Sequence, residues 1–140
     1  MALPTKLQLH VVSPDKSLVN ETVDEVQVPG AEGYFGVLPG HTPMLAALGA
    51  GELTYRAGSE TKHLAVFYGF AEVLPDRVTI LARTAEAADQ IDVARAEAAR
   101  KRAQERMAKP SIDIDAERAR IALLKSLIRL QVASRAKIRS

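Results

Sequence analysis

The sequence predicts an N-terminal antiparallel β-sandwich followed by a C-terminal α-helical hairpin, and three features carry that reading. Short runs of alternating apolar and polar residues recur through residues 1–84, separated by Gly/Pro turns. After Thr84 the composition turns to alanine, arginine and glutamate, with no glycine and a single proline, Pro110. The charge divides at the same place: residues 1–84 hold nine acids and six bases, and residues 85–140 hold eight acids and thirteen bases. The domains are therefore read as 1–84, a sandwich, and 85–140, a hairpin.

The elements follow in order. Leu7, Leu9 and Val11 alternate with Lys6, Gln8 and His10, the pattern of a half-buried strand. Val26 and Val28 repeat it before Pro29-Gly30, Leu53 and Tyr55 after Gly49-Ala50-Gly51, and Val78 and Ile80 further on. A long strand over Lys62–Val73 enters the turn Leu74-Pro75-Asp76-Arg77, where proline presets φ at the second position and aspartate suits the third, so a hairpin is expected there. The first helix is read from about Ile91 to Ala108 and the second from about Asp113 to Lys137, joined by Lys109-Pro110-Ser111, because proline disfavours helix in the residue before it. In the second helix Ile114, Ile121, Leu124, Ile128 and Val132 keep helical spacing, with Leu123, Leu127 and Leu130 widening the stripe. The first helix offers Ala94, Ala98 and Ala99 for close helix approach.

Composition bounds the chemistry. With 47% hydrophobic residues in 140, the chain can build a core, and with no cysteine it has neither disulfides nor thiolate metal sites. No stretch approaches the roughly 20 apolar residues that span a bilayer, which leaves a soluble chain or one peripheral through a partner. His10, His41 and His63 share no ligand spacing, so they read as structural or surface residues and no metal is expected. There is no phosphate-binding Gly-rich loop and no Ser/His/Asp arrangement, so no catalytic residue is visible. Asp113 and Asp115 fit helix-start acids that complement the macrodipole. From Arg118 to Ser140 there are seven bases and no acid, an end suited to a polyanion.

The segment from Gly30 to Pro43 packs glycines and prolines between apolar residues. It reads equally as tight sandwich turns or as a rigid surface shown to a partner. Its run Phe35-Gly36-Val37-Leu38-Pro39-Gly40-His41-Thr42-Pro43-Met44-Leu45, together with Tyr68-Gly69-Phe70-Ala71-Glu72-Val73 and Ile91-Asp92-Val93-Ala94-Arg95-Ala96, resembles the epsilon subunits of bacterial F-type ATP synthases over essentially the whole length.

That resemblance implies a non-catalytic central-stalk subunit that couples the catalytic head to the c-ring, at the cytoplasmic face of the cell membrane. Its partners would be the gamma subunit, the c-ring, and the alpha and beta subunits, with Gly30, Glu32, Gly33, Pro39 and His41 as contacts to gamma and the c-ring. It further implies a hairpin with a folded state and an extended, inhibitory state, in which Arg118, Arg120, Lys125, Arg129 and Arg135 meet an acidic segment of the beta subunits. Helices of this length would reach about 25 and 35 Å. No cofactor is required, but some members bind ATP as a regulatory ligand, at positions corresponding to Glu86, Asp92, Arg95, Ala96, Arg102, Arg118, Lys125 and Arg129. Lys125 stands where arginine is expected, keeping the charge and losing the planar fork that grips phosphate. Outside the resemblance, Asp92 and Arg95 read as an i,i+3 ion pair.

Two readings from other classes stand beside this one. A basic helical-hairpin module could bind nucleic acid, which steeply salt-dependent binding to duplex DNA would reveal. Against it, all Phe and Tyr residues lie in the first half, leaving nothing beside the bases for stacking. An independent nucleotide hydrolase would release phosphate from the purified chain alone.

Overall fold

The computed structural model describes residues 3–109 and 115–138, the last two in backbone only. The chain forms two compact units, residues 1–87 and 88–140. The first unit is built on one hydrogen-bonded sheet of seven strands: β1 (Leu7–Val12), β2 (Ser17–Val23), β3 (Glu25–Gly30), β4 (Gly33–Val37), β5 (Met44–Ala57), β6 (Glu60–Leu74) and β7 (Arg77–Ala87), in the order β2-β1-β7-β6-β5-β3-β4. The pairing is antiparallel except where β1 meets β7, a parallel pair with Leu9 opposite Val78. That exception follows from the last strand lying beside the first.

A single sheet becomes a sandwich because its three longest strands change direction at one level. In β6 the core-facing residues are Leu64 and Val66, then Ala71 and Val73, so the inward parity switches between them. At the switch Tyr68 has φ 62° and Gly69 φ 123°, values that an L side chain seldom adopts. A Cβ on Gly69 would stand 2.0 Å from the Leu81 carbonyl oxygen, so only glycine fits. The neighbours switch at the same level: Leu48 gives way to Leu53 and Tyr55 in β5, and Val78, Ile80 and Ala82 give way to Ala85 in β7. The two halves enclose one core with Leu7, Leu9, Val11, Val26, Val28 and Val37. The edge strand β2 folds back over β5, where Tyr55 Oη donates to Glu21 Oε2 at 2.9 Å.

Sequence pattern placed β1, β3, β6, β7 and the Pro75-Asp76 turn, with Leu74 paired to Arg77 as the hairpin requires. It began β5 too late: the strand passes straight through Gly49-Ala50-Gly51, glycines that serve packing and not a turn. Gly51 stays bare because the Tyr34 ring crosses it, a Cβ there lying 2.4 Å from the Tyr34 hydroxyl. That hydroxyl accepts the Glu52 N–H at 2.9 Å. Strand β7 runs to Ala87, three residues beyond the expected boundary, because the β6 ladder continues to Leu64 opposite Ala87.

The second unit holds a short 3-10 turn and two helices, α1 (Val93–Ala108) and α2 (Ala116–Ile138). Asp92 caps α1, its Oδ1 accepting the Arg95 N–H at 3.0 Å, and Asp115 caps α2 through the Arg118 N–H at 3.1 Å. The Asp92–Arg95 relation is thus a cap and not an ion pair. Asp115 sits at a helix start as expected; Asp113, Ile114 and the Pro110-Ser111 connection lie outside the described residues. The buried residues at the seam of the two helices are small ones at heptad spacing, Ala96 and Ala103 on α1 and Ala119, Ser126 and Ala133 on α2, together with Val132, which the apolar stripe had included. Of Ala94, Ala98 and Ala99, expected to let the helices approach, only Ala99 is half-buried. Ala94 and Ala98 are exposed, because alanines fill α1 and give no phase until α2 supplies one. Leu124 and Leu127, expected in the apolar stripe, are exposed as well.

Candidate functional site

The two turns expected to meet partners sit at opposite ends of β4. Gly30 and Gly33 pair across the Ala31-Glu32 turn, which is exposed, and Gly33 takes φ 132°. A Cβ on Gly30 would lie 2.7 Å from the Gly33 carbonyl oxygen, so this tight return needs glycine on both sides. Beyond the other end of β4, the Gly40 N–H donates to Pro75 O at 2.7 Å and the His41 ring to Thr42 O at 2.7 Å, tying the Pro39–His41 turn to the β6–β7 turn. With about 3.3 Å rise per residue, β4 separates the two turns by about 16 Å.

A second surface was not found in the sequence. On the outer face of the sheet Phe70 lies directly between Ala47 and Leu81, and Leu45 sits one step along β5. Leu45 is 73% exposed, Phe70 55% and Leu81 51%, so large apolar side chains stand side by side in water. The signal was there: once the Pro75-Asp76 turn fixes the register, Phe70 and Leu81 must face each other at positions of outward parity.

The hairpin sorts its bases by face. Arg95 and Arg102 each precede a seam alanine on α1, and Arg118 and Lys125 each precede a seam residue on α2. A one-residue step is about 100° around a helix, and in an antiparallel pair the same offset from the seam puts both rows on the same side. Arg129, four residues after Lys125, joins that row. Arg95 and Arg102 are exposed, with no ion-pair partner among the described residues. Ala96 is buried in the seam, and Asp92 is engaged in its cap. Glu86 stands on β7 opposite Ala65, in the other unit. Arg120 and Arg135 point roughly 160° and 100° away from Arg118 around α2. Arg120 Nε also donates to Glu117 Oε2 at 3.2 Å, and this guanidinium holds the Glu117 carboxyl below its usual range.

The histidines are dispersed: His10 bonds Ser17, and His63 contacts Thr54 and Glu52. Among the described residues no group of His, Cys, Asp or Glu could hold a metal ion, and no helix is long and apolar enough to cross a membrane.

Comparison with known proteins bears on both units. Residues 6–88 match the family ATP synthase, Delta/Epsilon chain, beta-sandwich domain, and residues 89–134 match its long alpha-helix domain. The ATP synthase epsilon chain of Solibacter usitatus is 46% identical over 133 residues, covering 95% of this chain and 99% of the relative. That of Syntrophobacter fumaroxidans is 49% identical over 130 residues, covering 93% and 97%. The fold is also similar to a chain in a Euglena gracilis mitochondrial ATP synthase structure (OSCP/F1/c-ring), with TM-score 0.71 and 22% identity over 99% of this chain and 84% of that one. A chain of the Tetrahymena thermophila mitochondrial ATP synthase central stalk and c-ring gives TM-score 0.53 and 15% identity over 96% and 98%. With both units matched and the relatives aligned almost end to end, the chain belongs to the ATP synthase epsilon chain family.

Proposed function

We propose that this chain is a rotor subunit of the central stalk of an F-type ATP synthase, docked by its sandwich and regulatory through its hairpin. It makes or breaks no bond itself. The observation that carries the docking is the uncovered apolar face of Leu45, Ala47, Phe70 and Leu81. Phe70 and Leu81 are about half exposed, so completing their burial against a partner is worth about 1 kcal/mol each, half the value for a fully exposed side chain. The gamma subunit is the expected occupant, with the Gly30–Gly33 and Pro39–His41 turns reaching gamma and the c-ring. This puts the chain at the cytoplasmic face of a bacterial membrane, held there through the complex.

The hairpin's contribution rests on the row of bases, Arg95, Arg102, Arg118, Lys125 and Arg129, on one of its faces. Arg118, Lys125 and Arg129 suit an acidic segment of the beta subunits when the hairpin extends into the catalytic head, restraining hydrolysis. Arg95 and Arg102 on the same face suit the phosphates of ATP in the folded state, which ATP would favour by mass action. Phe70→Glu should abolish co-sedimentation with gamma while leaving the thermal melt of the free chain within a few degrees; retained binding would remove the apolar face as the docking surface. Calorimetry with ATP and the Arg95→Ala variant tests the sensor, and equal heats for both chains would reject it.

A further inference from the structure

We propose that β4 is a docking edge: an extended segment of another rotor polypeptide adds to it as an eighth strand and seats one large apolar side chain in the cleft beside Gly36. The inference rests on the rotor reading above and goes beyond it. Strand β4 ends the sheet, paired to β3 alone. Its sequence, Gly33-Tyr34-Phe35-Gly36-Val37, has no Lys, Glu, Asp or Pro, the residues by which sheet edges are usually guarded against added strands.

The open hydrogen-bonding groups can be assigned. Pro29 pairs with Tyr34 but has no N–H, so that pair cannot exchange two hydrogen bonds, and alternation makes Gln27–Gly36 the next pair of the same kind. The N–H and C=O groups of Tyr34 and Gly36 therefore face outward, where no backbone partner meets them among the described residues. An extended backbone is their natural complement.

The side-chain pocket lies on the same row. Gly36 pairs with Gln27, and Gln27 with Thr54, so a strand residue placed opposite Gly36 would extend its side chain over a position that has none. A cleft of about 360 Å³ opens there, lined by Gly36, Leu38, Gln27, Thr54, Glu25 and Arg56, and nothing stands within 4 Å of a Cβ built on Gly36. Arg56 is already bonded to Asp24 and Glu25, which leaves the cleft no open cation for a phosphate or carboxylate ligand. Leu38 on its rim is exposed, so an aliphatic or aromatic side chain is the occupant that fits. The two proposed contact turns bracket β4, so a partner touching both must span the length of this edge.

Residue-resolved hydrogen exchange on the full chain, free and in the reconstituted synthase complex, tests the proposal. The Tyr34 and Gly36 amides should slow by about a hundredfold or more on assembly; unchanged exchange overturns it. Protection that grows with the concentration of the free chain points to a second copy on the edge and also overturns it. Gly36→Pro removes an outward N–H, and Gly36→Val fills the cleft mouth. Each should weaken incorporation about tenfold at an unchanged melting temperature. If Phe70→Glu releases the chain while both Gly36 variants bind normally, this inference fails and the docking reading stands; if the Gly36 variants weaken binding and Phe70→Glu does not, the apolar-face reading fails instead.

Discussion

Three residues decide local geometry more than their neighbours do. Gly69 is irreplaceable on two counts, its left-handed φ and the Leu81 carbonyl against its Cβ position. Gly69→Ala should cost about 2 kcal/mol or more, read as a lower urea midpoint, and a wild-type midpoint would refute the steric account. Gly51 is bare for a different reason, the Tyr34 ring above it, so a shift of that ring can relieve Gly51→Ala. Asp24 joins three segments: its carboxylate accepts Lys6, the Arg56 guanidinium and the Gly58 N–H, the last at 2.7 Å. The Lys6 hydrogen bond first, then the Gly58 N–H, hold its carboxyl below the ordinary value of 3.8. A depressed folded pKa means stability that is fully present above the unfolded value and lost as pH falls through the folded one. The stability gap between wild type and Asp24→Asn should therefore stay constant from neutrality to about pH 5 and close below about pH 4. A gap independent of pH down to 2 would show that the charge does not matter.

At the scale of elements, what could be read depended on whether a segment carries phase. Alternation in β1 and the Pro75-Asp76 turn fix register by themselves, so β1, β6 and β7 were legible. Strands β2 and β4 were not singled out: Asn20-Glu21-Thr22 and the glycines of β4 carry little apolar alternation, and those strands exist because edges need only one good neighbour. Alanine in α1 matches every helical face, so its seam became visible only against Ala119, Ser126 and Ala133. That seam gives a test. Ser126→Leu places a branched side chain where small residues meet and should part the helices, seen as reduced helicity and a lower melting temperature of the hairpin, whereas Leu124→Ala on the exposed face should change little. Equal effects would mean the heptad of small residues does not set the packing. The bases of the candidate nucleotide row were legible one by one, but their common face was not, since it depends on the antiparallel offset between the two helices.

Across the whole molecule, one chain carries two self-contained devices. The sandwich turns an apolar face, two rigid turns and an unguarded edge outward, all held on a closed core. The hairpin packs through small residues at heptad spacing, each burying little area, together with the fully buried Val132. Five of its bases, Arg95, Arg102, Arg118, Lys125 and Arg129, share one side. This division predicts that the two units can be tested apart, because residues 1–87 contain a complete core of their own. The most direct measurement is the ATP hydrolysis rate of a reconstituted catalytic complex carrying either the full chain or one ending at Ala87. Both forms should bind equally, and hydrolysis should rise severalfold with the shorter chain. Equal rates with both forms bound would contradict the restraining hairpin, and failure of the shorter form to bind would contradict docking by the sandwich.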